Sequence, residues 1–256
     1  TIGLAQALRT IQPHAASANR HVVQSLMTVL AGIRPIVPEA LRAGEARWFR
    51  KMFGRQARRL GLSPRPGESE DARQLRPALL RFVTDAGDDR RLGAKAAVLA
   101  KRWLRDRNAV DGSMVATVLE SAARHGNREL FELFRTELAK SEDRRDRRYL
   151  FRALGSFQDP ALTQAALDLL LSTEFDIRES AQIAWKLSED PRRGQLAYQF
   201  MKHNFDALVT LLPRDAAARF PGWGAQLCDA VSRDDMEAFF RDRIAKYTGG
   251  PRNLAQ

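Results

Sequence analysis

From residue 115 to residue 138 the sequence reads VATVLESAARHGNRELFELFRTEL, two apolar-patterned segments joined at Gly126-Asn127. The apolar positions recur every three or four residues and are Val115, Val118, Leu119 and Ala122, then Leu130, Phe131, Phe134 and Leu138. This spacing gives each segment one apolar stripe along a helix. Because the Gly-Asn connection is short, the second helix folds back beside the first. The stretch therefore predicts an antiparallel helical hairpin.

The same pattern continues toward the C-terminus. Further stripes contain Leu162, Ala166 and Leu169, then Ile183, Ala184 and Leu187. Repeated alternating stretches, which are typical of strands, are not found. We predict an all-α fold, a HEAT/armadillo-like superhelical array of antiparallel helix hairpins that forms a single helical-repeat domain over residues 1–256. A globular helix bundle would give a similar pattern and stays open as the alternative.

Capping residues mark several helix boundaries. Asp159-Pro160 and Asp190-Pro191 each place a carboxylate before a proline, an arrangement typical of a helix start. Further expected boundaries are a capping box at Asp176 and Glu179, N-caps at Ser141 and Ser232, and a surface loop over residues 63–69 (SPRPGES). These boundaries predict short helices with brief connections.

The chain is strongly basic. Its 256 residues include 42 Lys and Arg against 31 Asp and Glu, a net charge of +11. We expect this charge to be dispersed over solvated helix faces, with an Arg-rich codon bias as its simplest origin. Aromatic residues do not alternate with basic ones, so nucleic-acid binding is the least favoured function. No apolar run is long enough to predict a membrane helix.

Motifs that would carry chemistry are absent from the sequence. It contains no H-E-x-x-H, G-x-S-x-G, phosphate-binding loop or dinucleotide fingerprint. We therefore predict neither a catalytic residue nor a metal ligand in this chain. Side chains expected in the core are Cys228, His21, His203 and Trp223, with exposure of Trp223 as an alternative, and carboxylate pairs expected on solvated faces are Glu129 with Glu132 and Asp234 with Glu237.

One basic stripe is regular enough to be a candidate binding surface. Arg144, Arg148 and Arg152 follow an i, i+4, i+8 spacing, which aligns them on one helix face. Such a face could bind an anionic partner. Acidic residues interleave with the stripe, so a solvated, salt-bridged face is the competing interpretation.

Five stretches together resemble a known family. They are Phe49–Gly61 (FRKMFGRQARRLG), Gln74–Leu80 (QLRPALL), Ala153–Leu162 (ALGSFQDPAL), Ala197–Leu208 (AYQFMKHNFDAL), and Ala238-Phe239-Phe240 leading to residues 249–256 (GGPRNLAQ). In this order they are similar to the C-terminal helical domain of zinc aminopeptidases related to aminopeptidase N, the puromycin-sensitive enzyme and the endoplasmic-reticulum aminopeptidases.

The resemblance implies a non-catalytic role. In that family the zinc cofactor and its H-E-x-x-H motif belong to a preceding catalytic domain of the same polypeptide. This chain would then be inactive alone and would form a helical lid over the active site that limits access of peptide substrates. The stripe Arg144, Arg148 and Arg152 would bind a peptide carboxylate, since guanidinium groups suit that ligand. A free-standing repeat scaffold that binds a protein partner is the alternative.

Overall fold

A computed structural model describes residues 3–190, 192–213 and 215–255. Within these ranges every regular element is a helix, and no strand is present. The predicted all-α class is confirmed.

Residue 126 separates the α-helices into two groups. The first six α-helices are α1 Leu4–Ile11, α2 Arg20–Ile33, α3 Glu39–Leu60, α4 Glu70–Asp85, α5 Arg90–Arg105 and α6 Val115–Arg124. The others are α7 Arg128–Lys140, α8 Arg144–Leu154, α9 Pro160–Asp168, α10 Ile177–Ser188, α11 Gly194–His203, α12 Phe205–Leu211, α13 Ala230–Phe240 and α14 Gly250–Leu254. Short 3-10 helices cover Gln12–Ala16, Arg34–Ile36, Arg107–Ala109 and Ala216–Gly224.

The chain forms two compact units, Thr1–Gly126 and Asn127–Gln256. In the first unit α4 packs against α2, α3 and α6, and α5 packs mainly against α6. In the second unit α8 packs against α7 and α10, while α11 packs against α10 and the Ala216–Gly224 3-10 helix. Within the first unit α4 thus lies between α2 and α6, and within the second α8 packs beside α10. The superhelical course and the single domain over residues 1–256 stay predictions.

Aromatic side chains fill the core of the first unit. Phe82 on α4 packs against Phe49 and Phe53 on α3, with ring centroids 5.0 and 5.3 Å apart. Trp103 is buried on α5, and the Arg107 guanidinium lies 4.1 Å from its ring centroid. The predicted apolar stripe of α6 is buried at all four of its positions. Burial of these faces is the main favourable contribution to folding.

The second unit has a separate aromatic core. Phe131 packs edge-on against Phe157 at 5.2 Å, and Phe205 packs against Phe220 at 5.7 Å. Trp223 is 1% exposed and packs against Trp185 at 6.0 Å. The core prediction for Trp223 is confirmed, and the alternative of an exposed tryptophan is wrong.

Two of the predicted caps are confirmed. Asp159 caps α9, where its carboxylate accepts hydrogen bonds from the backbone N–H groups of Ala161 and Leu162 at 2.9 and 3.0 Å. Asp176 likewise caps α10. The capping box does not form, because the carboxylate of Glu179 binds Arg147 instead.

Three predicted helix starts are displaced. Ser141 ends α7 and Ser232 lies inside α13, whereas Asp143 and Asp229 cap α8 and α13. A carboxylate is the stronger acceptor for the exposed N–H groups, and it decides both starts. After Asp190, α11 begins only at Gly194, and Pro191 lies outside the described residues.

The loop predicted over residues 63–69 is confirmed between α3 and α4. Ser69 caps α4 by accepting a hydrogen bond from Ala72 N–H. Just before it, Glu68 forms a two-bond ion pair with the buried Arg76, which ties the loop to α4. Among the described helices, none has the length and apolarity that crossing a membrane requires.

Candidate functional site

Helix α8 presents the predicted arginine stripe. It begins where Asp143 accepts hydrogen bonds from the N–H groups of Arg145 and Asp146 at 2.8 and 2.9 Å. The helix buries Leu150 and Phe151, and it packs against α7 and α10. The sequence pattern therefore gives α8 one packing face and one face rich in arginine.

Arg147 lies beside the stripe and holds three helices together. Its guanidinium donates to the Glu179 carboxylate on α10, with the shortest contact at 2.6 Å, and to the Leu138 carbonyl near the end of α7 at 3.2 Å. It also lies over the rings of Phe151 and Phe175, 5.7 and 5.6 Å from their centroids. Sequence reasoning did not single out Arg147, because its partner is 32 residues away.

Arg152, the last residue of the stripe, is engaged in an ion pair. Its Nη2 donates to both carboxylate oxygens of Glu189, at 2.7 and 3.0 Å. Lys186 donates to the same carboxylate at 3.2 Å. Arg152 thus binds α8 to the end of α10, and its charge is already neutralised by a protein carboxylate.

Arg144 and Arg148 are in a different state. Both side chains are exposed, and neither has a hydrogen bond or ion pair with any residue that the structure describes. They lie on successive turns of α8, where side chains four apart have Cβ atoms about 6 Å from each other. The structure therefore divides the stripe into two free guanidinium groups and one paired group.

A second cluster of titratable groups joins α11 and α13. The Tyr198 hydroxyl donates to the Asp235 carboxylate at 2.7 Å, and Lys202 donates to its other oxygen. Burial, together with the hydrogen bond to Asp235, raises the pKa of Tyr198 well above its usual value. Lys202 and then Tyr198 lower the pKa of Asp235. The cluster therefore keeps the phenol of Tyr198 protonated and hydrogen-bonded to Asp235. This arrangement is a structural link between α11 and α13.

An apolar groove of about 520 Å³ lies between α9 and α11. Its walls include Leu167, Leu171, Leu196 and Phe200, with His203 among the polar residues that line it. Such a surface has room for an apolar side chain of a ligand.

Several sequence-predicted burials are wrong. His21 and His203 are exposed, as is Cys228. Cys228 lies in the turn before α13, where the Asp229 cap keeps the backbone at the surface. The expected solvated carboxylates, Glu129, Glu132, Asp234 and Glu237, are all exposed.

Metal-binding side chains do not converge in the part of the chain that the structure describes. No group of three His, Cys, Asp or Glu residues there could hold an ion. What these residues offer is a set of helix faces, and the exposed face of α8 carries the free arginines Arg144 and Arg148.

Comparison with known families matches the profile described as the ERAP1-like C-terminal domain to residues 2–256. The chain belongs to this family. The resemblance carried by the five sequence stretches is thereby confirmed, and it identifies the chain as a C-terminal domain of zinc aminopeptidases. A separate comparison with curated proteins finds no match.

The all-helical architecture is in keeping with an ERAP1-like C-terminal domain. The match transfers no catalytic residue to this chain. Arg144, Arg148 and Arg152 keep the status of predicted peptide-binding residues.

Proposed function

We propose that this chain is the non-catalytic C-terminal domain of a zinc metallo-aminopeptidase, where it caps the active site of a catalytic domain in the same polypeptide and shapes peptide access. The observation that carries the proposal is the family match over residues 2–256. A lid that closes over an active site excludes water and admits only substrates that fit.

The described residues of this chain do not fit a catalytic zinc ion. Within the described ranges, no three potential ligands converge. We therefore assign the zinc to the catalytic domain and no chemical step to this domain. Its own contribution is to bind and orient the peptide and to limit the space around it.

For peptide recognition, we propose that the free arginines of α8 bind the carboxylate of a peptide. Arg144 and Arg148 are exposed and unpaired among the described residues, so binding would not require an existing ion pair to break. Arg147 and Arg152 hold α8 against α7 and α10, which keeps the exposed arginines on a rigid support. Bidentate guanidinium–carboxylate geometry gives both affinity and orientation.

Hydrolysis of aminoacyl fluorogenic amides tests the proposal directly. We expect zinc-dependent activity from the complete protein encoded by the gene and none from this chain alone. Separately expressed catalytic domain should hydrolyse small amides but lose discrimination among longer peptides by length. Inactivity of the complete protein would contradict the aminopeptidase assignment, and unchanged length discrimination by the separate domain would contradict the lid.

A further inference from the structure

The entire net charge of the chain lies in one of its two units. Residues 1–126 contain 22 Lys and Arg against 11 Asp and Glu, whereas residues 127–256 contain 20 of each. The basic residues are thus spread over both units, but the net charge is not.

Codon bias does not explain this division. Arginine is abundant in both units, with 19 residues in the first and 16 in the second. The units differ mainly in their acidic residues, which balance the arginines only in the second unit. A bias toward arginine codons would act on both units alike, so the excess in the first needs a local reason.

Helix α5 carries much of this excess on one face. Its sequence RRLGAKAAVLAKRWLR has six basic residues and no acidic residue. Five of the basic residues are exposed, and four of these, Arg91, Lys95, Arg102 and Arg105, recur at helical spacing along one side. Within the described part of the chain, these four side chains have no hydrogen bond or ion pair. We call these four residues, with Val98 between them, the α5 basic face.

Val98 places an apolar side chain in the middle of the α5 basic face. It is 54% exposed, one of the few large apolar side chains to remain in solvent. The opposite side of the helix buries Ala96, Ala100 and Trp103, which fixes the orientation of the basic face toward solvent. From Arg91 to Arg105 the face spans about 21 Å at the α-helical rise per residue.

Helix α3 of the same unit adds a second set of unpaired cations. Arg47, Lys51, Arg55 and Arg58 are exposed at the same kind of spacing, without a hydrogen bond or ion pair to any described residue. On α8 of the second unit, Arg147 and Arg152 are paired with Glu179 and Glu189, whereas Arg144 and Arg148 are unpaired among the described residues. Unpaired cations on successive turns repel each other and disfavour the helix slightly. An anionic partner would remove that repulsion.

We propose that the α5 basic face is a docking surface for an acidic amphipathic helix of a protein partner. The four cations would pair with carboxylates, and Val98 would contact an apolar side chain at the centre of the interface. Nucleic acid fits this face less well, because the face lacks exposed aromatic rings to stack on bases. One valine is too little apolar surface for insertion into a membrane.

The probe for the test is a synthetic acidic helix of about 18 residues, long enough to cover the face. Glu would stand opposite the four cations and Leu opposite Val98, and a peptide of the same composition in scrambled order would serve for comparison. Fluorescence anisotropy with the full chain should show that the patterned peptide binds about tenfold more tightly than the scrambled one. The affinity should fall steeply as the ionic strength rises from about 0.05 to about 0.3 M, because salt screens exposed charges.

A charge-matched pair of variants locates the surface. The quadruple variant Arg91→Gln, Lys95→Gln, Arg102→Gln, Arg105→Gln should weaken binding by about tenfold or more. The control variant Arg128→Gln, Arg178→Gln, Arg233→Gln, Arg241→Gln removes the same charge from exposed positions of the second unit. It should leave the affinity unchanged. Far-UV circular dichroism of both variants checks that they fold.

Val98→Lys separates the two classes of partner. It should weaken binding of the patterned peptide, because a cation replaces the apolar contact with Leu, and strengthen binding of a DNA duplex. Tighter binding of the duplex than of the patterned peptide would overturn the proposal. Equal losses in the two quadruple variants, or equal affinity for patterned and scrambled peptides, would overturn it as well.

Discussion

Arg147 on α8 and Glu179 on α10 form an ion pair, with Nη2 and Oε2 2.6 Å apart, although 32 residues separate them in sequence. The arginine is only 17% exposed, and it also donates to the Leu138 carbonyl of α7. One side chain thus joins three helices of the second unit.

We expect Arg147→Ala to destabilise the second unit by about 1–3 kcal/mol, because it leaves a carbonyl and a partly buried carboxylate without their donor. Urea unfolding followed by circular dichroism measures the change. Arg145→Ala, on the exposed side of α8, should change stability by less than about 0.5 kcal/mol. Equal effects of the two substitutions would contradict the role of Arg147.

The glycine at the end of α8 allows a close helix contact. A Cβ at Gly155 would lie 2.7 Å from the carbonyl oxygen of Ile183 and 3.2 Å from its Cα, both backbone atoms of α10. Gly155→Ala should therefore destabilise the protein by about 1–3 kcal/mol through overpacking. Gly32→Ala is the matched control, because a Cβ there meets nothing within 4 Å and α2 is helical. It should stabilise by about 0.5–1 kcal/mol, so melting temperatures should move in opposite directions.

Acid should weaken the link between α11 and α13. The pKa of Asp235 is lowered by Lys202 and Tyr198, so the folded state binds the proton less readily than the unfolded chain. The stabilisation is present above the ordinary aspartate pKa of 3.8 and is lost as the pH falls below it toward the lowered value. Asp235→Asn should flatten this acid limb of the stability–pH profile. Asp206→Asn, at an exposed position of α12, serves as the control substitution.

The same cluster predicts an alkaline limb. Because the pKa of Tyr198 is raised from 10.0, its contribution is present below pH 10.0 and is lost as the pH rises above that value. Tyr198→Phe should remove this part of the alkaline loss of stability. The part caused by other titrating groups should remain. Urea midpoints measured across the alkaline range would show it, and an unchanged slope in the variant would contradict the assignment.

The free arginines of α8 predict a specific kinetic effect in the complete protein. Arg144→Gln with Arg148→Gln should raise KM for peptides that end in a free carboxylate by about tenfold and leave the C-terminally amidated peptides unaffected. Arg128→Gln with Arg241→Gln removes the same charge elsewhere and should not change KM. An equal rise for carboxylate and amide forms would rule out carboxylate binding by these residues.

The sequence by itself determined the helices and the family. The apolar spacing of α7 or α10 depends only on neighbours within a few turns, and so does the capping of α9 by Asp159. Such local patterns can be read directly from a sequence. The ordered stretches from Phe49 onward likewise contained enough of the family's pattern to identify it. The predicted N-caps at Ser141 and Ser232 are wrong, because a nearby aspartate caps each helix instead.

Only the tertiary structure decided which arginines are free. One residue of offset on α8 rotates a side chain by about 100°, which turns Arg147 toward α10 and Arg148 toward solvent. The partners Glu179 and Glu189 lie on or at the end of a different helix, so only packing brings them to α8. The difference in net charge between the two units likewise depends on the tertiary structure. The acidic and basic residues are plain in the sequence, but the boundary that separates a basic unit from a neutral one is set by contacts between distant segments.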